Sequence, residues 1–314
     1  MRRALILAIS LIALALTAAP GIAAAPTAST APATNVTPQG ATLNGVVTPR
    51  GHATTAYFQW GSTKTYGSRT PNQGVGEGTT AVPILANIDK LKSNTTYHFR
   101  VVATSSEGTT RSADRTFRTA KPTTTPNFSP NPATFGRPVT IFGTLVGSGS
   151  ASANVTLLSR PFPFTAAFTQ VGNTVVSNPD GSYSFTIGAI MATSQFRIAA
   201  TTKPAITSAI ATLTVNSQIT FHTRTSVRKG HALRFAGSVA PAQDGVLVLI
   251  QKRDRAGVFH TVAHTELRKL RSTRSQYSRT VKPPRSGTYQ VVVASAGGAV
   301  SPGISAAKSI RVLR

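Results

Sequence analysis

The feature that most restricts the fold of this chain is an internal repeat. Sliding the sequence against itself aligns Gly136-Arg137-Pro138-Val139-Thr140-Ile141-Phe142-Gly143-Thr144-Leu145 with Gly230-His231-Ala232-Leu233-Arg234-Phe235-Ala236-Gly237-Ser238-Val239. Phe168-Thr169-Gln170-Val171 aligns in turn with Phe259-His260-Thr261-Val262, and Tyr183-Ser184 with Tyr277-Ser278. Gln195-Phe196-Arg197-Ile198 then matches Thr288-Tyr289-Gln290-Val291, the offset staying between 91 and 94 residues throughout. Coincidental strand patterns would not hold register over four segments, so the chain carries two copies of one domain. The offset is about the length of one β-sandwich, roughly 100 residues. Gly143 and Gly237 fall inside strand patterns, where glycine marks a bulge or a close backbone approach.

Residues ahead of the repeat also read as strands. Ala41–Val47 and Thr55–Trp60 are short and rich in β-branched or aromatic residues, and Pro-Gln-Gly, Pro-Arg-Gly and Gly-Ser turns bound them. Over Thr96–Ala103, Tyr97, Phe99, Val101 and Ala103 alternate with His98, Arg100 and Val102. Period two of this kind puts the odd positions in a core. The turn Ser105-Ser106-Glu107-Gly108 leads into a last strand at Thr116–Thr119. Ala120–Pro126 then lacks apolar periodicity and carries two prolines, which predicts a semi-rigid spacer. Asn178-Pro179-Asp180-Gly181 predicts a hairpin turn.

At the N-terminus, Arg2 and Arg3 precede an apolar run from Ala4 to Ala18, a Pro20-Gly21 break and small residues to Ala25. This pattern predicts a secretory signal peptide over residues 1–25. No apolar stretch reaches the roughly 20 residues of a membrane span. With no Cys past the expected cleavage region, a lipoprotein anchor is not expected, and Ile310–Arg314 reads as a final strand. The expected organisation is a leader at 1–25, domains at 26–120, 127–215 and 216–314, and a linker at 121–126.

The segment Leu91-Lys92-Ser93-Asn94-Thr95-Thr96-Tyr97-His98-Phe99-Arg100-Val101 resembles the corner of a fibronectin type III domain. In that family a tyrosine six residues after a leucine opens a core strand and bonds back to the turn backbone. The resemblance covers residues 31–120. Ser93 stands where the family often has proline, and Gly45 lies about where many members place a core tryptophan. The aromatic load has moved to Tyr57–Trp60, and with Tyr66-Gly67 this is similar to a variant of the module common in exported bacterial proteins. The two repeats resemble bacterial Ig-like extracellular domains. What the resemblance implies is an all-β chain of three tandem sandwiches, secreted or cell-surface associated, serving display or adhesion rather than catalysis.

Zero cysteines exclude disulfides, thiolate metal sites and a cysteine nucleophile. The acids beyond the leader, Glu77, Asp89, Glu107, Asp114, Asp180, Asp244, Asp254 and Glu266, are scattered over three expected domains, mostly in turns. That scatter suits solvated turn residues better than the facing carboxyl pair of glycoside hydrolysis. His260 and His264 share a spacing that suits a metal on a helix, but in a strand it leaves them roughly 13 Å apart on one face. Gly74-Val75-Gly76-Glu77-Gly78 has neither the strand before it nor the helix after it that a nucleotide loop needs. No catalytic residue, cofactor or metal is expected.

Charge narrows the partner. Residues 26–126 carry 10 Lys/Arg against 4 Asp/Glu, residues 127–215 carry 4 against 1, and residues 216–314 carry 17 against 3, a net +14. Lys252, Arg253 and Arg255 precede Phe259, while Arg268, Lys269, Arg271 and Arg274 occupy an expected loop whose counterpart in the other repeat, Thr174–Gly181, is uncharged to acidic. Guanidinium groups grip phosphate or sulfate bidentately, so these seven residues are the candidate docking site for an anionic cell-envelope polymer or an acidic glycan. Only Tyr277 and Phe259 interleave with the cations, which argues against stacked nucleic acid. The competing expectation is a carbohydrate-binding or spacer accessory to an exported enzyme, with Trp60 and Tyr57 or Tyr66 stacking on sugar.

Overall fold

The computed structural model describes residues 24–294 and 297–314. The expected leader at 1–25 lies outside them apart from Ala24 and Ala25. Every regular element among the described residues is a β-strand, and pairing is antiparallel except for two short parallel ladders. The protein is all-β, built of tandem sandwiches. No helix among the described residues is long and apolar enough to cross a membrane. Two compact units result. One takes residues up to Asn35, Ala41–Ile88 and Thr96–Phe117, and the other takes Val36–Gly40, Asp89–Thr95 and Arg118–Arg314.

In the first unit, strands Thr27–Thr34, Ala41–Thr48 and Val82–Ile88 form one sheet. The facing sheet centres on Thr54–Gly61 paired with Thr96–Ser105. Tyr97, Phe99, Val101 and Ala103 are buried, as their alternation requires, and Tyr97 stacks on Phe117 at 5.7 Å. Val102, opposite Tyr57 on the other face, is buried as well. A side chain at Gly45 would meet Val101 Cγ2 at 2.4 Å and Phe58 at 3.4 Å. Fully buried Phe58, 6.5 Å from Phe99, supplies the aromatic bulk that Gly45 leaves out.

Two sandwiches with matching strand order make up most of the second unit. Asn127–Ser129, Val139–Thr144 and Ser182–Ile187 lie side by side in one, as do Gln218–Ile219, Leu233–Ala240 and Arg274–Val281 in the other. The facing sheets pair Asn154–Pro161 with Ser194–Ala200, and Leu247–Arg253 with Gly287–Val293. Aligned positions bury equivalent bulk, namely Ile141 with Phe235, Tyr183 with Tyr277, Phe196 with Tyr289, and Ile198 with Val291.

The repeated glycines have a shared cause. Gly143 faces Tyr183 in register and Gly237 faces Tyr277. Each tyrosine lies across its glycine, so a Cβ there would come within 2.5 Å or 2.6 Å of the hydroxyl oxygen. The Tyr277 hydroxyl thereby reaches past the glycine to donate to the Thr220 carbonyl at 2.8 Å, and that of Tyr183 meets Thr124 Oγ1 at 2.8 Å. Burying the ring without that partner would strand a polar atom. Burial also pushes the Tyr277 hydroxyl pKa well above its ordinary value.

Thr124 belongs to the segment expected to be a spacer. Within it, Thr123 exchanges two backbone hydrogen bonds with Val146 at 3.0 and 2.9 Å, and Thr124 is buried. Thr123 thus forms an isolated bridge to Val146 outside the regular strands, and the prolines on either side of it need supply no ladder N–H.

Between the two repeats the chain is stitched together. Ser301 N–H donates to Val215 at 2.8 Å, Ser217 N–H to Ser301 at 3.2 Å, and Thr193 N–H to Ala299 at 2.7 Å. Val300, from the third sandwich, is 6 % exposed and joins the core cluster of the second with Leu213 and Val215. Val300→Asp would bury an unpaired carboxylate, costing about 3 kcal/mol or more. Calorimetry should then split one melting transition of residues 118–314 into two; a single unshifted transition would contradict the shared core.

Candidate functional site

The basic groove is built on a hairpin. Leu247–Arg253 pairs with Phe259–Glu266, and Asp254 shapes the turn between them. Val258 N–H donates to Asp254 Oδ1 at 2.8 Å, and His260 Nε2 lies 2.7 Å from Asp254 Oδ2. Hydrogen bonds from His260 and from the Val258 amide hold the Asp254 carboxyl below its usual range. The acid at the tip is therefore already engaged.

Lys252 sits opposite Tyr289 and shares the core-facing side of its strand with Ile250. At the open end of the sandwich its ammonium lies 5.5 Å from the Tyr289 ring centroid and donates to the Arg285 carbonyl at 3.1 Å. Burial, reinforced by the positive field of Arg285, lowers the Lys252 pKa. Arg253 Nε donates to the Gly257 carbonyl at 3.2 Å, and Arg255 is exposed on the turn. Lys252, Arg253, Arg255, Arg285, His260 and Ser286 line an open groove of about 820 Å³. Its net excess of positive charge, with the single acid Asp254 tied to His260, suits a multivalent anion. Arg285 was not singled out in the sequence because 30 residues separate it from Arg255; the signal was there in Lys282-Pro283-Pro284-Arg285.

The other four candidates go elsewhere. Buried Leu267 is where the chain leaves one sheet and enters the other, its N–H donating to the Val246 carbonyl at 2.9 Å. Arg268–Arg271 is then an edge strand paired with Arg274–Val281, with Arg271 opposite Arg274. The expected loop is a hairpin, because Lys269 and Arg271 take up ladder positions against Ser275 and Arg274. Arg274 is half-buried and donates to Gln218 Oε1 at 2.9 Å and Ser238 Oγ at 3.4 Å, bracing neighbouring strands. Arg268, Lys269 and Arg271 remain exposed on that edge.

His260 and His264 do not share a face. A bulge between Ile250 and Gln251 leaves His260 opposite Lys252 and His264 opposite Leu249, so the two rings project on opposite sides. Among the described residues no group of three or more His, Cys, Asp or Glu gathers as a metal site would need. Trp60 pairs with Phe99 on the core side and packs 6.0 Å from Tyr97, whereas Tyr57 pairs with Val102 on the outer side. The two rings cannot form one sugar platform.

Sequence spacing also concealed a polar cluster in the first unit. Tyr66 donates to Asp114 Oδ1 at 3.0 Å, His98 Nδ1 lies 2.7 Å from Asp114 Oδ2, and Arg100 lies 4.6 Å from the Tyr66 ring centroid. Burial would raise the Asp114 pKa, but the bonds from His98 and Tyr66 outweigh it and the net shift is downward. A carboxyl depressed on folding contributes stability above its unfolded pKa and loses it as pH falls through the folded one. Acid titration of the first unit, followed by Trp60 emission, should therefore show a loss below about pH 4. Asp114→Asn should lower neutral-pH stability and reduce that acid-dependent loss; an unchanged acid profile would remove Asp114 from the account.

Neither a protein-family model nor a curated protein sequence matches the chain. Among solved structures it is similar to trypsin-activated alpha-2-macroglobulin from Escherichia coli, at 12 % identity and a TM-score of 0.27, covering 90 % of this chain and 24 % of that one. It is also similar to a tetra-tandem repeat from the extending region of a large adhesion protein, at 16 % identity and a TM-score of 0.26, covering 92 % and 74 %. The chain thus spans about a quarter of the first of these structures.

Proposed function

We propose that this is an exported, non-enzymatic binding protein of the cell surface or its surroundings, whose C-terminal sandwich docks on an anionic polymer. The observation that carries the reading is the convergence of Lys252, Arg253, Arg255 and Arg285 on one groove whose single acid is already paired. Like charges held this close repel one another, and a bound polyanion would relieve that repulsion. Export rests on the leader pattern at 1–25, and the first sandwich is read as fibronectin type III-like on the Leu91–Val101 segment and its buried Tyr97.

The test uses the full chain on an immobilised polyanion at low and high salt. Lys252→Gln, Arg253→Gln, Arg255→Gln and Arg285→Gln together should weaken binding at low salt on the order of a hundredfold and flatten its salt dependence. Arg268→Gln, Lys269→Gln and Arg271→Gln together should have a much smaller effect. Unaltered retention of the groove variant would overturn the reading. A second reading, a stiff spacer within an exported assembly, is favoured by the Val300 junction, which joins two sandwiches through one core.

A further inference from the structure

Resting on the docking reading above, we propose that the polymer is an acidic glycan, with its charges borne on hydroxyl-rich sugar units, rather than a bare polyphosphate or a nucleic acid. The basic groove does not end at Ser286. That residue also lines a second open groove of about 770 Å³, whose walls include Thr225, Ser226, Thr288, Ser309 and Arg311. Register explains why these hydroxyls converge. Thr288 pairs with Ser309, and Ser226 pairs with Arg311 two residues further along the same strand. Ile310, between Ser309 and Arg311, is buried, so alternation turns Ser309, Arg311 and their partners outward.

The same outward face leads back to Arg253. The ladder ends at the Lys252–Tyr289 pair, and one residue beyond it on the two strands stand Arg253 and Thr288. Arg253 in turn pairs with half-buried Phe259 on its other side. A ligand lying across these strands meets an aromatic edge, a guanidinium, a band of hydroxyls and then Arg311. Hydroxyl side chains both donate and accept, which matches sugar hydroxyls, while a polyphosphate offers acceptors alone. Two cationic ends separated by a neutral hydroxyl band suit charges spaced along a sugar chain. Few exposed aromatic rings are present for stacking bases.

The experiment compares the full-length chain on alginate, a polyuronate, and on inorganic polyphosphate, with three proteins: wild type, the four-residue groove variant, and Ser226→Ala/Thr288→Val/Ser309→Ala. The hydroxyl variant should bind alginate about tenfold more weakly and polyphosphate within twofold of wild type. Should it fold poorly, Ser226→Ala alone and a salt titration of wild type replace it. Alginate binding should then keep a residual at high salt that polyphosphate binding lacks, since hydroxyl contacts are not screened as ion pairs are. Equal effects on both polymers, or no effect on either, would overturn the glycan assignment and leave docking intact. If the groove variant binds both polymers like wild type, docking itself fails.

Discussion

Replacing Gly237 with alanine is expected to unfold the C-terminal sandwich at physiological temperature, a loss of more than about 3 kcal/mol. The new Cβ would lie 1.9 Å from the Thr220 carbonyl oxygen and 2.6 Å from the Tyr277 hydroxyl. Neither can give way cheaply. Thr220 is tied to Ser238 by its backbone N–H at 2.9 Å and by its own hydroxyl at 3.0 Å, and its carbonyl is the acceptor for Tyr277. Making room severs the tyrosine bond and strands a buried hydroxyl. Gly188→Ala provides the contrast, since nothing lies within 4 Å of its Cβ position. That variant should stay within about 0.5 kcal/mol of wild type. Urea denaturation followed by near-ultraviolet tyrosine dichroism would measure both. Equal midpoints for the two variants would refute the Gly237–Tyr277 packing and with it the explanation of the repeated glycines.

Gly61→Ala should be as damaging to the first unit, for a harsher geometric reason. Its Cβ would fall 1.4 Å from the Tyr66 carbonyl oxygen and 2.3 Å from the carbonyl carbon, so the obstacle is backbone. The turn after Gly61 is closed by Tyr66 N–H on Thr63 at 3.0 Å and Gly67 N–H on Thr65 at 2.9 Å. Opening it withdraws Tyr66 from Asp114 and Arg100, and we expect a loss of more than about 3 kcal/mol. Trp60, the only tryptophan, lies next to Gly61 and reports on this unit alone. Its emission should shift at much lower denaturant in the variant. A wild-type midpoint would show that the turn after Gly61 does not approach it as described.

Much of the fold was legible beforehand because it depends on period-two alternation, a property of neighbouring residues. The odd positions of Thr96–Ala103 are core, and the repeat segments aligned at 91 to 94 residues bury matching bulk. Within the expected spacer, Thr123 forms an isolated bridge to Val146, a contact the sequence does not signal because the partner lies more than 20 residues away. The histidine faces were misread because a bulge inserts one residue into a ladder, and the strand carries no local sign of it.

The site was half legible for the same kind of reason. Sequence alone determined that the chain is built of repeated β-domains, that cysteine chemistry is excluded, and that positive charge concentrates after residue 216, because composition and alternation are additive along the chain. Only the tertiary structure decided which cations lie together. Lys252, Arg253 and Arg255 gain Arg285 across the open end of a sandwich, Arg274 is consumed in bracing strands, and Arg268, Lys269 and Arg271 follow the chain across Leu267 to another sheet. Charge clustering in space depends on which strands pair and where a chain changes sheets, and those choices are set by long-range burial rather than by adjacency in sequence.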